Sequence, residues 1–197
     1  LNKVSNQALT RKVFEIFLDN HSGDRQLIAL PGGTTAAYLY PAITRSISEG
    51  LNYCFLMTDE RDVPVGSEHS NYGNYFRGVV GFDSSVSFDI KQKDTRILLM
   101  GSKVDYIFVG FGLDGHFASI FNQDNYFDCS SPLICTNKEE NGRRLSLSVG
   151  FMSQAKKIFV VYSGRRKREI LKENNNKYLV NRLINDMKDK IEIITNE

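Results

Sequence analysis

An apolar run from Val104 to Val109 stops abruptly at Gly110-Phe111-Gly112-Leu113-Asp114-Gly115-His116. The run is short and rich in Val, Ile, Tyr and Phe, which predicts a strand buried on both faces of a parallel sheet. The glycines predict a sharp turn at its carboxyl end, where open α/β sheets bind their ligands. A short amphipathic stretch, Phe117 to Phe121, follows the turn. The same pattern recurs. Gln26–Leu30 runs into Pro31-Gly32-Gly33-Thr34-Thr35, Leu51–Met57 ends on Thr58-Asp59-Glu60-Arg61, and Lys156–Tyr162 runs into Ser163-Gly164. Helical spacing fills the intervals: residues 4–18, Ala36–Ile43 despite Pro41, Asn71–Val80, Asp94–Gly101, Arg165–Glu173 and Tyr178–Asp186. Arg144–Val149 alternates strictly and predicts a strand. Phe151–Ala155 predicts one helical turn, and Ile191–Ile194 a last strand. Strands that alternate with helices imply an α/β fold, an open and mostly parallel sheet with helices on both faces. At 197 residues, with no internal repeat and no interior linker, the expectation is a single domain over 1–197.

The rest of the chain is polar. Residues 62–73 predict a loop long enough to be functional, and residues 81–91 a connection with a little strand character. Residues 122–142, rich in Asn, Asp, Ser and Gly, predict a long surface excursion. Asn174-Asn175-Asn176 predicts a helix break. A net charge of +2 gives no reason to expect nucleic acid or a membrane as partner. No apolar stretch approaches the roughly 18 residues of a membrane span, and residues 1–17 lack the apolar core of a secretion signal. Cys54, Cys129 and Cys135 are odd in number and show no paired spacing, which suits a reducing cytoplasm better than a disulfide framework. His21, His69 and His116 lie far apart, and no CxxC or HExxH is present, so no metal is expected.

Four constellations carry chemistry. Pro31–Thr35, between a strand and a helix, offers converging N–H groups, two hydroxyls and a helix start, all suited to an anion; the alternative is a plain βα turn. No GxxxxGK[ST] is present, so a nucleoside triphosphate is not expected. Asp59-Glu60-Arg61 places charge at the end of a buried strand. Arg61 could clamp a carboxylate or phosphate, or the group could be a structural ion pair. Gly110-x-Gly112-x-x-Gly115 matches the dinucleotide pattern, but it lies past mid-chain and carries a carboxylate where a pyrophosphate needs bare backbone. His116 beside Asp114 fits general base work, with the acid fixing the imidazole tautomer. Finally, Gly164-Arg165-Arg166-Lys167 and Arg143-Arg144 put basic groups near a helix start, against its dipole, as an anion site or a solvated face. No Gly-x-Ser-x-Gly elbow is present.

Taken together and in order, these stretches resemble the 6-phosphogluconolactonase family. Its loop of glycines and Ser/Thr stands here as Pro31-Gly32-Gly33-Thr34-Thr35-Ala36. Its Asp-Glu-Arg-x-Val-Pro and His-x-x-Ser-Asn stretch looks like DERDVP at 59–64 and EHSN at 68–71. Its Gly-x-Gly-x-Asp-Gly-His-x-Ala-Ser-Leu-Phe motif stands as GFGLDGHFASIF at 110–121, and its Arg-x-Thr and Gly-x-x-Lys segments as Arg144-Leu145-Ser146 and Gly164–Lys167. The resemblance implies a modified Rossmann-like sheet and hydrolysis of 6-phospho-D-glucono-1,5-lactone to 6-phosphogluconate in the oxidative pentose phosphate pathway, without metal or cofactor. It implies His116 as base and Asp114 as its orienting group. It implies that Gly32, Gly33, Thr34, Thr35, Asp59, Arg61, Asn71, Gly112, Gly115, Arg144 and Lys167 hold the substrate. A small sugar-phosphate lactone is the expected partner of a cytoplasmic monomer or homodimer. Two rivals stand beside this reading: a glucosamine-6-phosphate deaminase/isomerase, which shares the GxGxDGH turn, and a sugar-phosphate-binding protein without turnover.

Overall fold

The computed structural model describes residues 3–138, 142–173 and 176–196. The chain runs α1 (Lys3–Asn20), β1 (Gln26–Leu30), α2 (Gly33–Ser48), β2 (Tyr53–Met57), β3 (Asp59–Arg61), α3 (Asn71–Gly78), β4 (Ser87–Phe88), α4 (Lys93–Gly101), β5 (Tyr106–Val109), α5 (Gln123–Phe127), β6 (Leu133–Lys138), β7 (Gly142–Leu147), α6 (Val149–Met152), β8 (Lys157–Tyr162), α7 (Arg165–Lys172), α8 (Leu179–Asp186) and β9 (Ile191–Thr195).

Six strands form an all-parallel sheet in the order β4-β2-β1-β5-β8-β9. The apolar runs fill both of its faces because a central parallel strand has no solvent side. Ile28, Leu30, Phe55, Met57, Phe108, Phe159 and Val161 face α1 and α2, where Leu9, Val13, Phe17, Leu39 and Ile43 meet them. Ala29, Leu56, Ile107, Val109, Ile158 and Val160 face the other way, onto Leu99, Met152, Val180 and Leu183. The chain winds outward from the centre in both directions, through β1, β2 and β4 on one side and through β5, β8 and β9 on the other. The switch point therefore lies between β1 and β5, whose carboxyl ends carry Pro31–Thr35 and Gly110–His116.

Several elements differ from the sequence expectation. α2 begins at Gly33 and passes through Pro41 to Ser48. The charged Asp59–Arg61 segment is a strand of its own. It belongs with β7 and β6 to a three-stranded antiparallel sheet, order β3-β7-β6, which the alternation of strands and helices did not reveal. The 122–142 stretch is not a free excursion: α5 buries Tyr126, and β6 buries Ile134 and Thr136 against the body. Residues 139–141 of that stretch, and Asn174 and Asn175 of the expected helix break, lie outside the described residues. The alternating strand spans Gly142–Leu147, and the following helical turn is Val149–Met152. The amphipathic Phe117–Phe121 stretch after the Gly110–His116 turn is not helical. Phe111, Phe117 and Ile120 instead close it by isolated bridges. Thr58 joins the two sheets: its N–H donates to Leu30 O at the end of β1 (2.8 Å), and its carbonyl accepts from Leu147 N on β7 (2.8 Å).

Candidate active site

Pro31–Thr34, Asp59, Arg61, Asn71, Gly110–Gly112, His116, Ala118 and Arg144 surround an open cleft of about 180 Å³ at the switch point. Three elements build it.

The first wall is the turn between β1 and α2. Tyr75, fully buried on α3, donates to Pro31 O (3.0 Å) and anchors the turn. Gly32 is the N-cap of α2 and has no side-chain cap, so no side chain of the cap residue covers the first N–H groups of a 16-residue helix. Gly32 is also a place where only glycine fits, because a Cβ there would stand 2.1 Å from Asn71 Oδ1.

The second wall is the β3–β7 pair. Its antiparallel register sets Arg61 opposite Arg144 and Asp59 opposite Ser146. Arg61 is steadied by donation from Nη1 to His69 O (2.7 Å). Arg144 is 8% exposed, and its Nε has no hydrogen-bond partner. Burial, then the neighbouring Arg61, lower its pKa, against an opposite pull from Asp59 and Glu60. Two cations directly opposite each other repel, so this pair favours an anion in the cleft. Of the two readings of this strand end, the structural ion pair is not what forms among the described residues. Glu60 is fully buried, and its carboxylate accepts from Arg61 N (2.7 Å), Ser70 Oγ (3.0 Å), Asn71 N (2.9 Å) and Tyr72 N (2.7 Å). It holds the start of α3 and thereby Asn71, whose Nδ2 donates to Asp59 O (2.8 Å). The Asp59 carboxylate accepts from Ser119 Oγ (2.7 Å) and Thr58 Oγ1 (3.3 Å). Sequence reasoning missed both Glu60 as a structural group and Ser119. The signal for Ser119 was its place inside the GFGLDGHFASIF stretch.

The floor is the glycine turn. His116 Nδ1 and Asp114 Oδ1 are 2.5 Å apart, with His116 N also donating to Oδ1 (3.3 Å). A carboxylate only accepts, so Nδ1 carries the proton and Nε2 keeps its lone pair. Burial works to raise the Asp114 pKa, but the hydrogen bonds and charge of His116 outweigh it, and the carboxyl lies below its ordinary value. Gly112 is essential to this fold-back: a Cβ there would meet Asp114 Oδ1 at 2.4 Å and the imidazole at 2.5 Å. The N–H groups of Gly112 and Gly115 are spent within the turn, on His116 O (2.8 Å) and Gly112 O (3.0 Å). Ala118 has φ 47°, a left-handed value that is strained for alanine. Ser119, held by Asp59 and by donation from its N–H to Ser146 Oγ (3.3 Å), fixes the chain just beyond it.

Four of the expected substrate-binding or catalytic residues do not line the cleft. Thr35 is buried behind it against Gly110. Gly115 faces Tyr178 at the start of α8, and its carbonyl accepts from Val180 N (3.0 Å). Asp114 stands behind His116. Lys167 is half-buried over Phe111, with Nζ 5.2 Å from the ring centroid, and burial lowers its pKa. Among the described residues, no three His, Cys, Asp or Glu side chains converge as metal ligands.

The family model described as glucosamine-6-phosphate isomerases/6-phosphogluconolactonase matches residues 3–183. The chain belongs to this family. A 6-phosphogluconolactonase of Haemophilus influenzae is 28% identical over 166 residues, covering 74% of this chain and 72% of that protein. The 6-phosphogluconolactonase of Leishmania guyanensis superposes with a TM-score of 0.80 at 18% identity, over 95% of this chain and 92% of that one. A monomeric glucosamine-6-phosphate deaminase superposes with a TM-score of 0.74 at 17% identity, over 95% and 92%. The fold is therefore common to both branches of the family, and the choice between them rests on side chains. No helix of the described residues is long and apolar enough to cross a membrane.

Proposed function

We propose that this chain is a cytoplasmic 6-phosphogluconolactonase, a single-domain enzyme that hydrolyses 6-phospho-D-glucono-1,5-lactone to 6-phosphogluconate. The observation that carries this reading is a general-base pair, His116–Asp114, that shares one small cleft with two facing arginines, Arg61 and Arg144. A lactone is an activated ester, so a positioned base and an anchored phosphate suffice. Arg61, Arg144 and the amino end of α2 hold the phosphate, with Gly32, Gly33 and Thr34 presenting the helix start and Asn71 bracing it. Thr35, Gly115 and Lys167 support these groups from the layer behind, and Lys167 adds positive potential through Phe111.

His116 Nε2 takes a proton from water as the oxygen adds to the carbonyl carbon. The tetrahedral oxyanion collapses, the bond to the ring oxygen breaks, and the imidazolium returns the proton to that oxygen. The new carboxylic acid gives its proton to solvent, so the products are a carboxylate, a free hydroxyl and one released proton. Asp114 holds the reactive tautomer and balances the charge on the imidazolium. The oxyanion takes its stabilisation from donors other than the Gly112 and Gly115 N–H groups, which the turn consumes. Arg61 and the Ala118-Ser119-Ile120-Phe121 continuation favour the lactonase over the deaminase, and the Haemophilus influenzae relative is of the lactonase kind. The test is hydrolysis of freshly generated lactone, corrected for spontaneous opening, beside ammonia release from glucosamine-6-phosphate. Lactone turnover without ammonia is expected. Ammonia release, or no turnover of either compound, would overturn the reading.

A further inference from the structure

The antiparallel sheet has two faces, and only one serves the cleft. Alternation along β3 and β7 turns Arg61, Arg144, Asp59 and Ser146 toward the cleft, and Asp62, Arg143 and Leu145 to the opposite side. There a second cavity of about 250 Å³ opens between the sheet and the start of α4. Three cations surround it: Lys91, Arg96 and Arg143. Each donates to an acceptor other than a carboxylate. Lys91 Nζ donates to Val63 O (2.5 Å), Arg96 Nε to Ile90 O (3.4 Å), and Arg143 Nη2 to Cys135 Sγ (3.7 Å). None of the three forms an ion pair with a carboxylate among the described residues. Of the two acids on the lining, neither makes an ion pair with these cations, and only Asp62 acts on one of them, raising the pKa of Arg143 behind the larger effect of Cys135. Glu60 is fully buried and committed to the start of α3, and Asp62 is exposed on the rim. Arg61 and Arg144 form the wall that this cavity shares with the cleft, adding to the same positive field.

Like charges gathered around one concavity repel each other, and the concavity focuses their field. A small oxyanion bound there offsets that repulsion and fits the volume. We propose that this cavity is a second oxyanion site, on the far side of the β3–β7 wall, for a small dianion of the phosphate class. Lys91, Arg96 and Arg143 take no part in the cleft, so the site can be tested apart from the lactonase reading even though Arg61 and Arg144 border both.

Cys135 reports on the site from inside. It is exposed and lines the cavity, while Cys54 is buried and Cys129 is exposed elsewhere. In a Cys129→Ser protein at low ionic strength, Cys135 is labelled with two methanethiosulfonates of similar size, one carrying a sulfonate and one a trimethylammonium. Each rate is divided by that of a free cysteine peptide. The anionic reagent is expected to react about tenfold faster than the cationic one, as a focused field of this kind produces, and inorganic phosphate should slow it. Lys91→Gln with Arg96→Gln leaves the Arg143–Cys135 contact in place and should reduce the preference severalfold and abolish the protection. Lactone hydrolysis by this variant should be unchanged, which confirms its fold. Equal rates for the two reagents in the Cys129→Ser protein would overturn the proposal. So would phosphate protection that persists in the Lys91→Gln/Arg96→Gln variant, since the phosphate would then act from the cleft.

Discussion

The imidazole of His116 owes its direction to one carboxylate and one missing Cβ. Asp114 takes the proton-bearing Nδ1, and Gly112 leaves room for both side chains to fold over the turn. Replacing His116 by alanine removes the proton acceptor but no core contact. Activity above the spontaneous rate should fall by about 10²–10⁴-fold, the range of a general acid–base group, with binding of 6-phosphogluconate retained. Turnover at the wild-type rate would remove His116 from the mechanism. The same variant has a pH signature at Asp114. In the native protein His116 outweighs burial and depresses the carboxyl from its ordinary 3.8. A depressed acid stabilises the fold above its unfolded value and loses that contribution as pH falls through the lowered one. Without the imidazole its hydrogen bond and charge are lost, and only backbone N–H groups, which alanine at 116 retains, still oppose the raising effect of burial. The Asp114 pKa, followed by carbon-detected NMR, should therefore move upward in His116→Ala, and the acid-side loss of stability should begin at higher pH. A titration that does not move would mean that something other than His116 holds the carboxylate.

The cleft depends on joints between elements as much as on its lining. Glu60 ties β3 to the start of α3 through three hydrogen bonds, and the Asp59–Ser119–Ser146 group ties the arginine wall to the floor. Glu60→Ala would leave buried N–H donors unpaired and should cost about 2–4 kcal/mol in urea unfolding. It should also raise KM by displacing Asn71 and Arg61, while the His116 turn keeps its geometry and kcat changes less. A loss of kcat alone would contradict this division. These joints also mark where the sequence was legible. Gln26–Leu30 and the Val104–Val109 run could be read because a parallel strand buried on both faces must be apolar throughout. β3 could not, because its three residues are all charged and gain their shelter from α3, β7 and Ser119, none of which is near in sequence. β6 was hidden for a similar reason. Its buried residues, Ile134 and Thr136, are separated by an exposed cysteine in a polar neighbourhood. The chemistry-bearing turns were legible because glycine spacing is local. The positions of Thr35, Gly115 and Lys167 behind the lining were not, since depth within a site is a property of packing.

Across the whole molecule, the parallel sheet supplies a stable frame and the antiparallel sheet supplies charge that the frame does not need. Arg144 is the clearest case, a buried guanidinium whose Nε finds no acceptor, set against Arg61. A residue kept at such a cost is explained by ligand, not by stability. Methionine has similar length and no charge to desolvate. Arg144→Met should therefore raise the stability of the unliganded protein by about 1 kcal/mol, within the range seen when buried ionic groups give way to apolar ones. The two proteins should then diverge when 6-phosphogluconate is added. A ligand that binds only the folded state at a hundred times its Kd stabilises by about 2.7 kcal/mol, and a chain of this size gains roughly 2–4 °C per kcal/mol. The wild-type Tm should rise by about 5–10 °C, and the rise should shrink with added salt as the phosphate contacts are screened. Arg144→Met should begin higher and move little. If ligand raised both melting temperatures equally, Arg144 would not be part of the anion site, and its burial would need a structural explanation from β7 itself.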